Sequence, residues 1–226
     1  MSYGALFTGL AGQIIIDDTN PVYSVVYSGT YNDVGNTGVA TINFPSPINS
    51  QAWPLVMFKP DGAHMVRNFK ILGSPGAWTG FSYFLYSDAG FSNVVRSGVW
   101  KVAAIWLPAT GDWGLRVRDS YSRIVFDSNR EPISLVAGGQ SWLDGGRNPS
   151  YLGQWTTQTF IRSWVKGNYF VINPYSGGYA EWDMASGFLD GGSNTASNFC
   201  MFLMKAGVGQ PGISADGCHY PLIIVK

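Results

Sequence analysis

The sequence predicts an all-β protein with a β-sandwich or jelly-roll-like N-terminal part and a smaller β C-terminal part. Three observations lead to this prediction. Apolar runs are short and rich in Val, Ile, Tyr, Trp and Phe, which favour strands. Gly and Pro, with 29 and 12 copies in 226 residues, interrupt the chain every few positions. The resulting turns recur at intervals of about 8 to 12 residues, a spacing typical of sandwiches and barrels.

Six strands are predicted between residues 23 and 107. Each is bounded by residues that favour turns, and the strongest of these turn signals is Lys59-Pro60-Asp61-Gly62. The run at 100–107 is the most apolar, and we expect it to be central in its sheet. The predicted strands are 23–28, 39–44, 55–58, 64–72, 79–86 and 100–107.

A hairpin followed by a third strand is predicted directly after these strands. Apolar and charged residues alternate over 115–118, as in a strand with one buried face. Asp119-Ser120-Tyr121-Ser122 has the composition of a turn, and 123–126 is a second strand. Asp127-Ser128-Asn129 ends that strand, and a third strand begins at Pro132.

The same arrangement occurs at the N-terminus, which indicates an internal repeat. Leu6 aligns with Leu115, and Ile15-Ile16 aligns with Ile124-Val125. Asp18-Thr19-Asn20 aligns with Asp127-Ser128-Asn129, and a Pro and an apolar strand follow in both copies. Because Asp favours local hydrogen bonds to the backbone, we expect Asp18 and Asp127 to cap the turn after the second strand of each hairpin.

The repeated unit carries a resemblance to a family. It consists of Ile124-Val125-Phe126-Asp127-Ser128 with Pro132, and of Ile14-Ile15-Ile16-Asp17-Asp18-Thr19 with Pro21. A strand, a small turn, this motif and a Pro before an apolar strand resemble small tail proteins of tailed bacteriophages, of the tail fibre, tail tip or baseplate kind. The resemblance covers the two hairpins and the general pattern of strands and turns in residues 1–138. It implies a virion protein, made in the host cytoplasm, that contacts other tail proteins and forms a homo-oligomer, most often a trimer about the tail axis.

The chain is divided into two predicted domains. Residues 1–138 form the β-sandwich, which we expect to dock onto the tail and to oligomerise. Residues 139–226 form a smaller β domain with about five strands, which we expect to face a receptor because exposed loops on a rigid scaffold commonly carry binding. Two copies of Leu-Asp-Gly-Gly-x-Asn, at 143–148 and 189–194, predict tight turns, since Asp-Gly and Gly-Gly reach positive φ easily.

The composition is poor in charge and rich in aromatic residues. Charged residues are 12% of the chain and aromatic residues 15%, and the formal net charge is zero. Such surfaces suit contact with other subunits, because interfaces are enriched in aromatic residues and depleted in Lys, Asp and Glu. Without a basic stripe to follow a phosphate backbone, nucleic acid is not an expected partner. Membrane insertion is not expected either, since no apolar run approaches the length of about 20 residues that spans a bilayer.

No catalytic residue, cofactor or metal site is predicted, and the chain is predicted not to be an enzyme. Glu181 and Asp183 share one face of a strand, which would suit a glycosidase. Charges at alternate positions are more simply those of a solvated strand, and the sequence places no further acid beside them. The two His and two Cys residues lack the spacing of a shared metal site, and Cys200 lies in an apolar strand.

The predicted receptor contacts are aromatic residues of the second part. Tyr175-Ser176-Gly177-Gly178-Tyr179 has the composition of an exposed loop that carries two rings. Aromatic rings beside short polar residues suit binding surfaces because ordering them costs little entropy, although about half of the rings should fill the core. The predicted receptor-binding residues, toward a host-surface glycan or protein, are Trp155, Tyr175, Tyr179 and Trp182.

Three functions are compatible with these features. The first is a structural component of a phage tail that contributes to host recognition. The second is a carbohydrate-binding β-sandwich module of unrelated origin, and the third is a polysaccharide hydrolase. A stable trimer would favour the first over the second.

Overall fold

The computed structural model describes residues 7–8, 14–32, 39–61, 65–86, 97–140, 143–151, 155–164, 167–173, 178–179, 182–189, 197–206 and 222–226. Within these ranges the chain forms eighteen β-strands and no α-helix. The predicted all-β fold is confirmed. A membrane-crossing helix is likewise not found in the described ranges.

Eleven of the strands begin before residue 139. They are β1 (Phe7–Thr8), β2 (Ile14–Ile16), β3 (Ser24–Tyr31), β4 (Val39–Ile48), β5 (Leu55–Pro60), β6 (Met65–Ser74), β7 (Ala77–Tyr86), β8 (Gly98–Ala104), β9 (Arg116–Arg118), β10 (Ile124–Asp127) and β11 (Leu135–Gly139). The six strands predicted before residue 108 correspond to β3–β8. β8 ends earlier than predicted, because Trp106 adopts a φ of 54°, which does not belong to a strand.

Seven further strands follow. They are β12 (Leu143–Tyr151), β13 (Trp155–Trp164), β14 (Tyr169–Val171), β15 (Gly178–Tyr179), β16 (Trp182–Leu189), β17 (Ser197–Ala206) and β18 (Leu222–Val225). The tight turn predicted at 143–148 is wrong. Asp144-Gly145-Gly146 lies inside β12, and the register with β13 shifts between Asp144 and Arg147, so the glycines accompany an irregularity of the strand. The second copy of that motif extends beyond the described residues at 190–194.

The described strands form two large antiparallel sheets and two separate hairpins. One large sheet has the order β11-β18-β14-β5-β8-β3, and the other has the order β12-β13-β17-β16-β6-β7-β4, with β15 paired to β16. β8 lies between β5 and the edge strand β3, so it is an interior strand of the sheet but not a central one. The hairpins are β1–β2 and β9–β10.

Strands from both sides of residue 138 lie next to each other in each large sheet. β14 pairs with β5, and β16 pairs with β6. Hydrogen bonding therefore continues across the boundary predicted between residues 138 and 139. The division into two folding units at that position stays a prediction.

The two large sheets share one hydrophobic core. Phe58 of β5 is fully buried, and its ring centroid lies 6.0 Å from that of Phe81 and 5.3 Å from that of Tyr83, both on β7. Trp100 of β8 lies 5.4 Å from Phe81. Because β5 and β8 belong to the six-stranded sheet and β7 belongs to the other large sheet, these aromatic contacts hold the two sheets together.

Residues 131–134 lead directly into β11, one edge strand of the six-stranded sheet, and also contact β3, the other edge strand. Ser24, at the start of β3, forms an antiparallel bridge with Pro132. Ser134 exchanges backbone hydrogen bonds with Lys226, next to β18. The sheet therefore curves so that its edges meet. The second face of the sheet encloses its own small core, with four buried residues: Met57, Ala103, Val171 and Val225.

Candidate functional site

The two hairpins are structural copies of each other with an offset of 110 residues. Both are antiparallel, both shift register at the same place, and five residues separate their strands in each. Adding 110 to each residue number of β1–β2 gives the paired residues of β9–β10. The corresponding pairs are Phe7–Ile16 and Val117–Phe126, then Thr8–Ile14 and Arg118–Ile124.

This offset corrects the sequence alignment by one position. Asp127 ends β10 and its Oδ1 accepts the N–H of Asn129 at 3.0 Å, so the predicted turn cap is confirmed. At the N-terminus the cap is Asp17, and the prediction of Asp18 is wrong. Oδ1 of Asp17 accepts the N–H of Thr19 at 2.8 Å. Oδ1 of Asp17 also accepts the N–H of Asn20, so one carboxylate holds the turn.

Asp127 anchors a neighbouring loop as well as its own turn. Its side chain is 1% exposed, and Oδ2 accepts the N–H of Thr110 at 3.0 Å and Nε of Arg116 at 3.2 Å. Burial alone would raise the pKa of Asp127, but the hydrogen bonds from Asn129, Thr110 and Arg116 outweigh it and lower the pKa. The carboxylate therefore stays charged at neutral pH.

The anchored segment is residues 108–115, called the Trp113 loop below. Asn129 donates its side-chain amide to the carbonyls of Thr110 (2.8 Å) and Trp113. Leu115 donates its N–H to Oγ of Ser128 at 2.9 Å. Every residue of the loop is exposed, yet its backbone is fixed to the turn that follows β10.

Two glycines give the Trp113 loop its path. Gly111 has a φ of 69° and Gly114 a φ of 141°, values that L-residues rarely adopt. A Cβ on Gly114 would lie 2.6 Å from Nδ2 of Asn129 and 2.8 Å from Oγ of Ser128. The close packing of backbone against these side chains thus requires glycine at 114.

The loop presents a large aromatic side chain to solvent. Trp113 is 88% exposed. Its neighbours Gly111, Asp112 and Gly114 are small or polar and also exposed. The loop therefore holds a single indole ring outward on an ordered backbone.

A second exposed ring lies at the tip of the β9–β10 hairpin. Tyr121 is 79% exposed, and the guanidinium of Arg123 lies 5.2 Å from its ring centroid and 4.2 Å from that of Trp106. Nε of Arg123 is 2.7 Å from Oδ2 of Asp119. Burial raises the pKa of Asp119. The hydrogen bonds from Arg123 and Tyr121 lower the pKa by more than burial raises it, so the net shift is downward.

The predicted receptor-binding residues fall in different places. Tyr179 pairs with Trp182 across β15 and β16, so these two are neighbours. Trp155 begins β13, which is separated from β16 by β17. Tyr175 lies outside the described residues.

Sequence reasoning missed Trp113 and Tyr121. The available signal was local: Trp113 stands inside Gly111-Asp112-Trp113-Gly114, where turn-forming residues surround a large ring. A ring enclosed by turn residues has few neighbours to bury it. Tyr121 similarly stands within the polar turn 119–122.

The acidic pair considered for hydrolysis is only partly described. Asp183 lies on β16, opposite Gly178 and Met204, while Glu181 is outside the described residues. In the described part of the chain, no three His, Cys, Asp or Glu residues form a group that could hold a metal ion. No family model matches the chain, and neither a curated protein nor a solved structure matches it.

Proposed function

We propose that this protein is a structural component of a bacteriophage tail, of the tail fibre, tail tip or baseplate kind, and that it contributes to host attachment. The observation that carries the proposal is the repeated hairpin unit, with its Asp-capped turn, Pro and following strand. This unit is the basis of the resemblance to phage tail proteins. Its two copies have one register and one loop length.

The composition gives independent support. Charged residues are 12% of the chain. Exposed apolar side chains include Leu135 at 71% and Val136 at 50%, both on β11 at the end of the six-stranded sheet order. Interfaces between subunits use such surfaces, since apolar and aromatic groups gain most from removal from water. We therefore propose that the protein is a homo-oligomer. The resemblance to phage tail proteins implies that this oligomer is a trimer.

The proposal is tested on particles and on the purified chain. Antibody against this chain should label the tails of purified phage particles in electron micrographs. Size-exclusion chromatography with light scattering should give three times the chain mass. Absence of the chain from particles, together with a monomer in solution, would exclude a tail component.

The alternative is a free-standing carbohydrate-binding module, which Trp113 favours because exposed aromatic rings stack on sugars. A module of this kind would bind a polysaccharide as a monomer and would be absent from virions. The two measurements above therefore separate it from the tail protein.

A further inference from the structure

The exposure of Trp113 is combined with unusual local order. Single exposed apolar residues are common on protein surfaces and need no explanation by themselves. Here the ring is 88% exposed, while the backbone that carries it is fixed by a buried carboxylate and by the amide of Asn129. The backbone that carries this largely exposed ring is therefore held in a defined place.

Preorganisation of this kind favours binding. A ligand that meets a ring on a fixed backbone does not have to order the loop, so less of the contact energy is lost to conformational entropy. An indole ring also loses little rotamer freedom when it is covered. The Trp113 loop has both features.

The surroundings of the ring indicate the class of ligand. A stable protein interface buries about 800 Å² on each partner, with a contiguous core. Asp112 and Gly114, which flank Trp113, offer polar and backbone groups, and Leu115, which is 48% exposed, adds a smaller apolar side chain to the loop. One flat ring edged by polar groups matches a hexose, whose C–H face is apolar and whose rim carries hydroxyls.

We propose that Trp113 is a sugar-stacking residue and that the Trp113 loop binds a neutral hexose polysaccharide of the host surface. The indole covers the C–H face of one hexose, and the carboxylate of Asp112 accepts hydrogen bonds from hydroxyls at its rim. This proposal rests on the proposed function for its biological setting. Its chemistry depends only on the loop.

The test is affinity electrophoresis of the purified full chain in native gels that contain dextran, pullulan, galactomannan or yeast mannan. The wild type should be retarded in at least one of these gels relative to a gel without polysaccharide. Trp113→Ala should weaken the retardation at least about tenfold in apparent affinity, a loss typical of removing a central aromatic anchor. Trp113→Phe keeps a ring and should retain most of the binding.

Trp53→Ala is the matched control. Trp53 is 57% exposed, but its ring packs on Trp78 with centroids 5.5 Å apart, so it is part of the fold. The control should leave retardation unchanged. The proposal would be overturned if no gel retarded the wild type, or if the wild type and Trp113→Ala were retarded equally. Absence of retardation in every gel would point to a protein partner for the ring. Because labelling of phage tails does not depend on Trp113, failure of sugar binding is distinguishable from failure of the proposed function.

Discussion

Asp17 and Asp127 hold equivalent positions, 110 residues apart, at the ends of two copies of one hairpin. In each, Oδ1 accepts the N–H of the residue two positions later, at 2.8 Å and 3.0 Å respectively. Asp127 additionally accepts hydrogen bonds from Thr110 and Arg116. Both carboxylates cap their own turn, and the carboxylate of Asp127 also fixes the loop that carries the exposed ring of Trp113.

Replacing Asp127 by Asn should destabilise the protein by about 1–3 kcal/mol, the usual cost of leaving buried hydrogen-bonding groups without a partner. The Asn oxygen can still cap the turn. Its NH₂ group would face the N–H of Thr110 and the guanidinium of Arg116, which are both donors. Urea unfolding followed by tryptophan fluorescence measures the change.

The control for this substitution is Asp112→Asn. Asp112 lies in the same loop and is exposed, so its replacement should change stability by less than about 0.5 kcal/mol. Equal effects at the two positions would show that Asp127 does not anchor the loop.

Acid should remove the contribution of Asp17 in a defined pH window. Hydrogen bonds from the side chain and N–H of Asn20 and from Thr19 lower the pKa of Asp17 to about 2, from an ordinary 3.8. Since the unfolded chain takes up the proton first, the stabilisation is complete above about pH 4 and is lost as the pH falls toward 2. The free energy of unfolding of the wild type should therefore exceed that of Asp17→Asn at pH 6, and the difference should narrow between pH 4 and pH 2. A difference that stays constant over this range would contradict the hydrogen bonding seen here.

A pair of valines tests the shared core. Val102 is 0% exposed between the sheets, and Val39 is 63% exposed on β4. Val102→Asp should abolish folding, because an unpaired buried charge costs more than about 4 kcal/mol. Val39→Asp should stay within about 0.5 kcal/mol of the wild type. Circular dichroism of both variants gives the result, and a folded Val102→Asp protein would refute the assignment of this face to the core.

The strands before residue 108 could be predicted because the signals for them are local. Alternating or apolar runs bounded by Pro, Gly and Asp specify β3–β8 without knowledge of their partners. The partners themselves could not be predicted. Phe170 pairs with Phe58, more than a hundred residues earlier, and nothing in either segment encodes that pairing.

The repeat shows where sequence reasoning came close to the site and failed. Ile14-Ile15-Ile16 and Asp17-Asp18 are runs of identical residues, so an alignment can slide by one position without losing matches. The strand register and the hydrogen bond from Thr19 to Asp17 fix the offset. Trp113 was missed for a related reason, since aromatic content alone does not tell which rings find a core to pack in.

Two glycines separate the effect of crowding in the Trp113 loop from that of backbone strain. Gly114 and Gly167 have φ values of 141° and 102°, so alanine is strained at both positions. A Cβ at 114 would lie 2.6 Å from Nδ2 of Asn129, whereas a Cβ at 167 meets nothing within 4 Å. Gly114→Ala should therefore displace Asn129 and lower the free energy of unfolding by about 1 kcal/mol more than Gly167→Ala does. Because the displaced amide holds the carbonyl of Trp113, Gly114→Ala should also weaken polysaccharide retardation, while Gly167→Ala should not. Equal stability losses and equal retardation would show that the loop is not fixed through Asn129.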